Sequence, residues 1–564
     1  MDYRAVYEEW LNHPLVDSKT KEELIGIRND PKEVEDRFYR ELAFGTAGLR
    51  GKMAAGTNRM NPYIIRRISQ ALANVISESG EEAKSRGVVM AYDTRRNSNF
   101  FVKIAAQIFA ANGIKTYLFS EPRPTPQLSF SVRELRTIAG VVVTASHNPK
   151  EYNGFKVYWE EGSQILDAIA DRITAHYLGL QDYLSLKGLP FEKGVSVGLI
   201  DVLSSEMDER YRRYVASCSL NADVDKMLSM VYTPLHGTGA AHLIPLLNEQ
   251  GYKQIETVAE QLTPDPDFST APYPNPEDPK AFALSIEKGK ACDAELLLAT
   301  DPDADRLGAM VRTPEGEYKP LTGNQMGAIL VHYILDSLSK TRGIPEKSVI
   351  VTSIVTSDFG PTVARTFGIP TVYTLTGFKN ICGKANEYDR TGERQFLFGY
   401  EESIGFVYGT RVRDKDAVSS GLLLTEAAAY HKKAGYSLYE WLQELFRRYG
   451  HHEERMINYV LEGKEGAERI GRIMDRFRSV PLTEIGDEHL TQRIDYLEEP
   501  PEPALKTNCL KFLYGENVWF ALRPSGTEPK LKVYLYARSE TRDSSSKIAD
   551  LFYERVYSEL KRIP

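Results

Sequence analysis

Short apolar runs alternate with amphipathic helical stretches along the middle of the chain, from about residue 60 to about residue 360. The apolar runs include GVVMAYD, TIAGVVVTAS, AELLLAT and KSVIVTSIVTS, and stretches such as PYIIRRISQALANVISESG lie between them. Buried strands joined by helices are typical of β-α-β units, in which helices cover both faces of a mainly parallel sheet. The pattern therefore predicts several α/β domains.

Polar residues follow the predicted strands at four places. These clusters are residues 93–96, 144–148, 233–239 and 301–306. In α/β sheets, ligands gather at the carboxyl ends of the strands. We therefore expect the functional residues to lie in these clusters.

Both ends of the chain depart from this pattern. The first 40 residues read as polar helices, whereas the last part combines charged helices with alternating runs such as NVWFALRPSG and LKVYLYAR. Alternation of this kind predicts a small α+β domain with an antiparallel sheet. A chain of 564 residues has room for several domains. We predict four domains, at residues 1–204, 205–320, 321–445 and 446–564.

Composition excludes several classes of protein. Apolar residues make up 42% and charged residues 26%, as in ordinary globular proteins, and a net charge of −8 does not favour binding to nucleic acid or membrane surfaces. With no secretory leader and no run of 18 apolar residues, we expect a cytoplasmic protein without a membrane span. The cysteines are far apart and form no CxxC pair, which favours reduced thiols. They are Cys218, Cys292, Cys382 and Cys509.

The segment DPDADR contains three alternating aspartates directly after a predicted strand: Asp301, Asp303 and Asp305. Such close carboxylates repel one another unless a cation lies between them, and an all-oxygen set suits Mg²⁺. Arg306 is placed to meet a phosphate or to pair with one carboxylate. The alternative is a solvated acidic turn. An EF-hand is not indicated, because its glycine and distal glutamate are missing.

Three further segments offer groups that bind phosphate or sugar. FALRPSGTEPK supplies a guanidinium, hydroxyls and backbone amides suited to phosphate, although a plain turn between two strands explains it as well. In GYEESIG, we expect an extended segment that turns a carboxylate and a hydroxyl the same way, to hold sugar hydroxyls; a polar stripe on a strand edge is the alternative. TGFK is a glycine loop with a lysine. The candidates are Arg523, Ser525, Gly526, Thr527, Glu401, Ser403, Thr376, Gly377 and Lys379.

Ser146, in TASHNP, lies where a predicted strand gives way to a loop. The segment is not a GxSxG elbow, and His147 adjoins the serine that it would have to serve, so a Ser-His-Asp triad is not indicated. With a metal cluster and a phosphate loop elsewhere in the chain, phosphoryl transfer through Ser146 itself is the better hypothesis. Lys156 would exchange the hydroxyl proton if burial lowered its pKa. In FGTAGLRG, Arg50 is a candidate anion contact, and a structural turn with a solvent-facing arginine is the alternative.

TASHNP, DPDADR, GYEESIG and RPSGTEPK, in this order and spacing, are similar to the four active-site segments of the α-D-phosphohexomutase family. The resemblance covers about residues 40 to 540. FGTAGLRG, TGFK and GYEESIG most resemble the bacterial phosphoglucomutase/phosphopentomutase branch. This resemblance implies four domains around one cleft: three related α/β domains with mixed or parallel sheets and a smaller α+β C-terminal domain.

The resemblance also implies roles for individual residues. Ser146 corresponds to a phosphoserine that completes the Mg²⁺ shell of the three aspartates. Arg50 and Lys156 correspond to groups around the reacting hydroxyl, and His147 is a further catalytic candidate. Phosphomannomutase-type members have a histidine just after the glutamate-serine motif, where this chain has Ile404-Gly405-Phe406. Lys415, in RVRDKDAV, is then a candidate for the second acid or base, whose identity stays open.

The sugar- and phosphate-binding roles follow in the same way. Glu401 and Ser403 correspond to the sugar-binding pair, and Thr376, Gly377 and Lys379 belong to the specificity loop. Arg306 is assigned to substrate binding. The loop that holds the phosphate not being transferred corresponds to Arg523, Ser525, Gly526 and Thr527.

The implied activity is interconversion of α-D-glucose 1-phosphate and D-glucose 6-phosphate through a glucose 1,6-bisphosphate intermediate, with one Mg²⁺ per subunit. We expect phosphosugars as the only partners, without nucleic acid or membrane, and a monomer or weak homodimer. Phosphopentomutase or glucose 1,6-bisphosphate synthase activity is the alternative within the family. A Mg²⁺-dependent phosphatase would not need a second phosphate loop, and a sugar-phosphate sensor would not need a phosphorylatable serine.

Overall fold

The computed structural model describes residues 2–461, 463–525 and 530–564. As the polar sequence predicts, the chain starts with three short helices, and Asp2, Asp17 and Asp30 cap them by accepting hydrogen bonds from first-turn backbone N–H groups. The helices of the first 217 residues are α1 (Tyr3–Asn12), α2 (Ser18–Ile27), α3 (Pro31–Phe38), α4 (Pro62–Glu78), α5 (Glu81–Arg86), α6 (Ser98–Ala111), α7 (Thr125–Leu135), α8 (Asp167–Gly179), α9 (Phe191–Ser196) and α10 (Glu206–Ser217).

The first sheet has six strands in the order β1-β5-β4-β2-β3-β6. They are β1 (Leu49–Lys52), β2 (Val88–Tyr92), β3 (Thr116–Phe119), β4 (Ala139–Val143), β5 (Tyr152–Trp159) and β6 (Ile200–Leu203). Strands β4, β2, β3 and β6 are parallel, and β5 and β1 continue the sheet antiparallel. Because Tyr92 pairs with Val143, the polar clusters 93–96 and 144–148 leave the sheet side by side.

A second sheet has five strands in the order β11-β10-β9-β7-β8. Its elements are β7 (Met230–Thr233), α11 (Ala240–Glu249), β8 (Ile255–Thr257), α12 (Ala259–Leu262), α13 (Ala283–Cys292), β9 (Leu296–Thr300), β10 (Leu307–Arg312) and β11 (Tyr318–Pro320). Strands β7 and β9 are parallel, so clusters 233–239 and 301–306 are neighbours. The backbone N–H of Thr238 donates to the Pro302 carbonyl at 2.9 Å. A Cβ at Gly237 would lie 2.4 Å from Pro302 Cα, which requires glycine there.

A third sheet follows, with parallel pairing of β13 with β12 and of β12 with β14. The elements of this part of the chain are α14 (Gly323–Lys340), β12 (Ser348–Ser353), α15 (Phe359–Thr366), β13 (Thr371–Thr374), α16 (Phe378–Thr391), β14 (Gln395–Glu401), β15 (Gly405–Tyr408), α17 (Ala417–Lys433) and α18 (Leu438–Tyr449). Thr322 and Gln325 form a capping box that starts α14.

The C-terminal part contains an antiparallel five-stranded sheet in the order β16-β22-β21-β20-β19. Its elements are β16 (His451–Val460), α19 (Gly463–Ser479), β17 (Glu484–Ile485), β18 (Glu488–His489), β19 (Gln492–Asp495), β20 (Leu510–Tyr514), β21 (Val518–Pro524), β22 (Lys530–Ser539) and α20 (Arg542–Arg562). The predicted fold class is confirmed, with three α/β sheets followed by a smaller antiparallel α+β part. The proposed domain boundaries stay predictions.

The chain divides into two compact units. One contains residues 1–321, 382–392 and 403–435, and the other contains residues 322–381, 393–402 and 436–564. All four cysteines are free thiols, as expected. In the part of the chain that the structure describes, no helix combines the length and apolar character that crossing a membrane requires.

Candidate active site

The Asp-rich segment is a tight loop between the antiparallel strands β9 and β10. At its middle, Ala304 has a φ of 49°, in the left-handed region. Asp301, Asp303 and Asp305 are all buried, and each offers one oxygen so that these oxygens lie within 4.8 Å of one another. The alternating spacing therefore brings the carboxylates together, and the solvated acidic turn is ruled out by their burial.

The hydrogen bonds of these carboxylates suit a cation. One oxygen of Asp301, Oδ1, accepts from the backbone N–H groups of Asp305 at 3.1 Å and Arg306 at 3.0 Å. Asp303 Oδ1 and Asp305 Oδ1 are buried without a hydrogen-bond partner among the described residues. Buried oxygens normally have a partner, and an all-oxygen donor set is the one that Mg²⁺ prefers. The residues present therefore fit Mg²⁺.

Electrostatics within the cluster point the same way. Burial, followed by repulsion from Asp303 and Asp305, raises the pKa of Asp301 well above its usual value. Burial also acts to raise the pKa of Asp303, but the adjacent Lys156 ammonium outweighs it and holds that pKa below its ordinary range. The carboxylates are thus only partly neutralised by the protein, and a divalent cation would relieve the remaining repulsion.

Ser146 lies in the loop that leaves β4, in the same unit as the aspartates. Its hydroxyl donates to Asp301 Oδ2 at 2.6 Å, and the residue is only 4% exposed. Its φ is 51°, and its backbone N–H donates to Thr144 Oγ1 at 2.8 Å. A strained backbone held by specific contacts is typical of functional loops. The tertiary structure therefore joins two segments that are 155 residues apart.

The buried guanidinium of Arg95 fixes the shape of this serine loop. It donates to the carbonyls of Ser146 and Asn148, and to that of Pro149 at 2.9 Å. Asp93, fully buried, pairs with it at 3.2 Å. The sequence places both residues in a polar cluster after β2, but it assigns them no role, because their partners come from the loop after β4.

Two lysines lie against the carboxylates. Lys156 Nζ is 2.8 Å from Asp303 Oδ2 and 3.5 Å from Asp305 Oδ2, and Lys415 Nζ is 3.2 Å from Asp305 Oδ2. The condition under which Lys156 would exchange the hydroxyl proton, a pKa lowered by burial, is not met in this structure. Burial does act in that direction, but attraction to Asp303 and Asp305 is larger and raises the pKa. In this structure Lys156 is a cation that pairs with the cluster.

Lys415 is held from its other side by a carboxylate that the sequence does not single out. Asp414 Oδ1 is 3.1 Å from Lys415 Nζ, and Asp414 Oδ2 accepts from the Tyr158 hydroxyl at 2.6 Å and from Gln164 Nε2 at 2.9 Å. Tyr158 and Asp414 are buried. Asp414 therefore links β5 to the cluster, and the only sequence signal was its position beside Lys415.

The remaining candidates of this unit lie around the same loops. His147 Nδ1 is 3.2 Å from Ser146 Oγ, and burial, followed by repulsion from Arg306 and Arg50, lowers its pKa well below the usual value. Arg50, an exposed residue of β1, donates to Asn148 Oδ1 at 3.2 Å. Arg306 donates to the Ser403 carbonyl at 2.7 Å and is 3.5 Å from Glu277.

The expectation that Glu401 and Ser403 lie along one extended segment is wrong. Strand β14 ends at Glu401, and Ser403 is in a turn in which Ile404 has a φ of 52°. The next residue, Glu402, accepts from Ser353 at 3.3 Å and Thr356 at 3.2 Å. These two hydrogen bonds favour a turn, because a strand that continued past Glu401 would place the Glu402 carboxylate out of reach of the two hydroxyls. The sugar-binding role of Glu401 and Ser403 stays a prediction.

The described candidates of the specificity and phosphate segments belong to the second unit. Gly377 has a φ of 103°, which favours glycine, and Lys379 is in the first turn of α16 and not in a loop. Thr376 accepts at its carbonyl from Asn380 Nδ2 at 2.9 Å. Arg523 lies near the end of β21, and the Ser525 backbone N–H donates to the Lys530 carbonyl at 2.7 Å. Two candidates, Gly526 and Thr527, lie outside the described residues.

Family models of phosphoglucomutase/phosphomannomutase match four parts of the chain. Alpha/beta/alpha domain I matches residues 41–183, domain II residues 209–316, domain III residues 322–449 and the C-terminal domain residues 480–550. A phosphoglucomutase of Staphylococcus haemolyticus is 35% identical over 540 residues, covering 93% of this chain and 95% of that protein. A phosphoglucomutase of Staphylococcus epidermidis is 37% identical over 516 residues, with 89% and 92% covered.

Solved structures share the fold. The open form of parafusin, a phosphoglucomutase from Paramecium, superposes with a TM-score of 0.71 at 18% identity, covering 93% of this chain and 95% of that one. This likeness concerns the fold alone, whereas the family models and the Staphylococcus proteins match the sequence itself. The chain therefore belongs to the phosphoglucomutase/phosphomannomutase family of α-D-phosphohexomutases.

Proposed function

We propose that this protein is a phosphoglucomutase, which interconverts α-D-glucose 1-phosphate and D-glucose 6-phosphate, and that Ser146 carries the phosphoryl group. The relatives that match at 35–37% identity are phosphoglucomutases, and the matches cover 89–93% of this chain. The reaction class therefore rests on nearly the full length of the sequence. The observation that carries the role of Ser146 is its hydrogen bond of 2.6 Å to Asp301, inside a buried cluster of three carboxylates. A hydroxyl with this contact lies beside the cation site that phosphoryl transfer requires.

In the forward half-reaction, the P–O bond to Ser146 Oγ breaks and a bond to one sugar hydroxyl forms, giving glucose 1,6-bisphosphate. The bisphosphate turns over, and the other phosphoryl group returns to Ser146 Oγ. Mg²⁺ held by Asp301, Asp303 and Asp305 would neutralise negative charge on the moving group. The attacking sugar hydroxyl gives up its proton as its oxygen bonds to phosphorus, and Ser146 Oγ takes up a proton as its P–O bond breaks; the return step reverses both proton transfers.

The lysines have different roles in this proposal. Burial acts to lower the pKa of Lys156, but attraction to Asp303 and Asp305 raises it. We assign Lys156 to the groups around the reacting hydroxyl, where its ammonium contributes positive charge. Lys415, between Asp305 and Asp414, is the candidate for the second acid or base. Arg50 and His147 face the serine loop and complete the set around the reacting hydroxyl.

Substrate binding is assigned to the second set of candidates. We assign the sugar hydroxyls to Glu401 and Ser403, the specificity loop to Thr376, Gly377 and Lys379, and the distal phosphate to Arg523, Ser525, Gly526 and Thr527, with Arg306 as a further contact. Burial of Ser146 supports transfer over hydrolysis, because water is the competing acceptor. We also propose that the enzyme is cytoplasmic, works as a monomer or weak homodimer, and binds no nucleic acid, in line with its net charge of −8.

The test is the intact mass of the protein before and after incubation with glucose 1,6-bisphosphate, with peptide mapping, in the native chain and in Ser146→Ala. We expect one phosphoryl group on Ser146, lost on addition of excess glucose 1-phosphate and Mg²⁺, and no phosphorylation or turnover in Ser146→Ala. Absence of phosphate from Ser146 in a turning-over enzyme would refute the carrier role. Inorganic phosphate released faster than glucose 6-phosphate would favour a phosphatase, and higher kcat/KM on ribose 1-phosphate would favour a phosphopentomutase.

A further inference from the structure

Asp303 has two oxygens in very different surroundings. Its Oδ2 accepts from Thr125 Oγ1 at 2.8 Å and from Lys156 Nζ at 2.8 Å. Its Oδ1 is buried and has no hydrogen-bond partner among the described residues. The two donors therefore occupy one oxygen and leave the other available to the cation, which means that the orientation of this carboxylate is set by its neighbours.

Thr125 is itself held firmly. It is the first residue of α7, it is fully buried, and its backbone N–H donates to the Asp303 carbonyl at 2.9 Å. Two bonds thus join residues that are 178 positions apart in the chain. Just before the helix, the Arg123 guanidinium donates to both oxygens of Asp208, at 2.8 and 2.7 Å. The start of α7 is therefore fixed against both the Asp303 loop and α10.

Lys156 by itself does not determine the orientation of the Asp303 carboxylate. Its ammonium is a point charge on a flexible stem, and it also lies 3.5 Å from Asp305 Oδ2, so it can follow either carboxylate. A threonine has few χ1 rotamers, and its hydroxyl donates in one direction at a time. Of the two donors, Thr125 is thus the one that specifies which way the Asp303 carboxylate turns.

We propose that Thr125 is a positioning residue: through its hydroxyl it turns Asp303 Oδ1 toward the metal ion and thereby sets the affinity of the cluster for a divalent cation. The inference rests on the proposed function only in treating the cluster as the Mg²⁺ site. It concerns ion binding and not the fate of Ser146. Hydrogen-bond partners of ligating residues commonly change metal affinity by 10- to 100-fold.

The chain offers a matched control for removal of this hydroxyl. Thr137 lies just after α7, is fully buried, and its Oγ1 has no hydrogen-bond partner among the residues that the structure describes. Thr125→Val and Thr137→Val make the same chemical change in the same part of the chain. Thr125→Ser keeps the hydroxyl, and Thr125→Ala removes it without adding a methyl group, should valine disturb folding.

The experiment measures binding of Mn²⁺, as a paramagnetic probe for the Mg²⁺ site, to the full chain after treatment with a chelator. Free Mn²⁺ is followed by electron paramagnetic resonance, and the thermal midpoint of each variant is recorded. We expect Thr125→Val and Thr125→Ala to raise the Kd for Mn²⁺ about 10-fold or more. We expect Thr125→Ser to bind within about 3-fold of the native chain, and Thr137→Val to bind as the native chain does.

Native Mn²⁺ affinity in a folded Thr125→Ala or Thr125→Val chain would overturn the proposal, and so would an equal loss in Thr137→Val or a failure of Thr125→Ser to restore binding. The proposed function fails in a different way. If Mn²⁺ binding depends on Thr125 while Ser146 never carries phosphate, the positioning role stands and the carrier role falls. If Ser146 is found phosphorylated but the Kd for Mn²⁺ is unchanged by the Thr125 substitutions, the carrier role stands and the positioning role falls.

Discussion

The hydroxyl of Tyr158 is the most direct place to test how the structure holds Lys415. It donates at 2.6 Å to Asp414 Oδ2, and both residues are buried. Replacing Tyr158 with phenylalanine removes this hydrogen bond and leaves the ring in place. A hydrogen bond to a charged group contributes about 1.5–3 kcal/mol. Gln164 still donates to the same oxygen at 2.9 Å, so we expect the lower end of that range, about 1.5 kcal/mol.

This free energy converts into a change of melting temperature. Unfolding entropy is about 2.1 cal/mol/K per residue, so about 1.5 kcal/mol over a unit of roughly 360 residues lowers the midpoint by about 2 °C. The assay is scanning calorimetry of Tyr158→Phe beside Tyr252→Phe. Tyr252 is fully buried and its hydroxyl has no hydrogen-bond partner among the described residues, so its loss should leave the midpoint unchanged.

Kinetics of the same two variants test the consequence for the site. Asp414 keeps its contact with Lys415 at 3.1 Å in Tyr158→Phe but loses one of the bonds that orient it. We expect kcat to fall several-fold, with little change of KM, and Tyr252→Phe to match the native enzyme. Equal midpoints and equal kcat for the two variants would refute the reasoning, because the Tyr158 hydroxyl would then contribute no more than an unpaired one.

Two further substitutions test the second unit. Arg523→Ala should raise KM for both monophosphates by about 10- to 100-fold, as loss of a charge-assisted bond of about 1.5–3 kcal/mol predicts. The control is Arg542→Ala, at an exposed residue of α20, and steady-state kinetics that show an unchanged KM for Arg523→Ala would contradict the phosphate role. Burial raises the pKa of Glu454 to about 7, with smaller effects of Glu453 and Glu402, so the folded state binds this proton more tightly than the unfolded chain does. The contribution of Glu454 to stability should therefore fall as pH rises from the unfolded pKa toward 7. The melting temperature of Glu454→Gln should accordingly rise relative to that of the native chain between about pH 5 and pH 8. A difference in melting temperature that stays the same over this range would show that Glu454 does not titrate in this way.

The local sequence was sufficient for the elements and for most of the candidate chemistry. Apolar runs of four to six residues, such as β4 and β9, are buried along their whole length, and this burial on both faces is why they read as continuous apolar strands. The polar clusters begin directly after these strands, so the end of each apolar run also locates the cluster. The Asp-rich loop is a candidate cation site in the sequence because three alternating carboxylates form an all-oxygen set, and their burial in the structure excludes the solvated turn.

Some local predictions failed where a distant partner changes the outcome. Burial acts to lower the pKa of Lys156, yet that pKa moves upward because Asp303 and Asp305 come from the loop of another sheet. The segment after Glu401 turns instead of extending, since the hydroxyls of Ser353 and Thr356 bind Glu402. Neither result is available from a window of neighbouring residues, because each depends on a group far away in the chain.

The sequence by itself determined the strands, the loops and the types of residue that carry the chemistry, since apolar periodicity and alternating carboxylates are local properties. Only the tertiary structure decided which of these groups meet. Arg95 lies in a predicted polar cluster without an assigned role, and Thr125 and Asp414 carry no distinctive local signal. All three become important because their side chains reach Ser146, Asp303 and Lys415 respectively. Hydrogen bonds and ion pairs act over a few ångströms of space, whatever the separation along the chain.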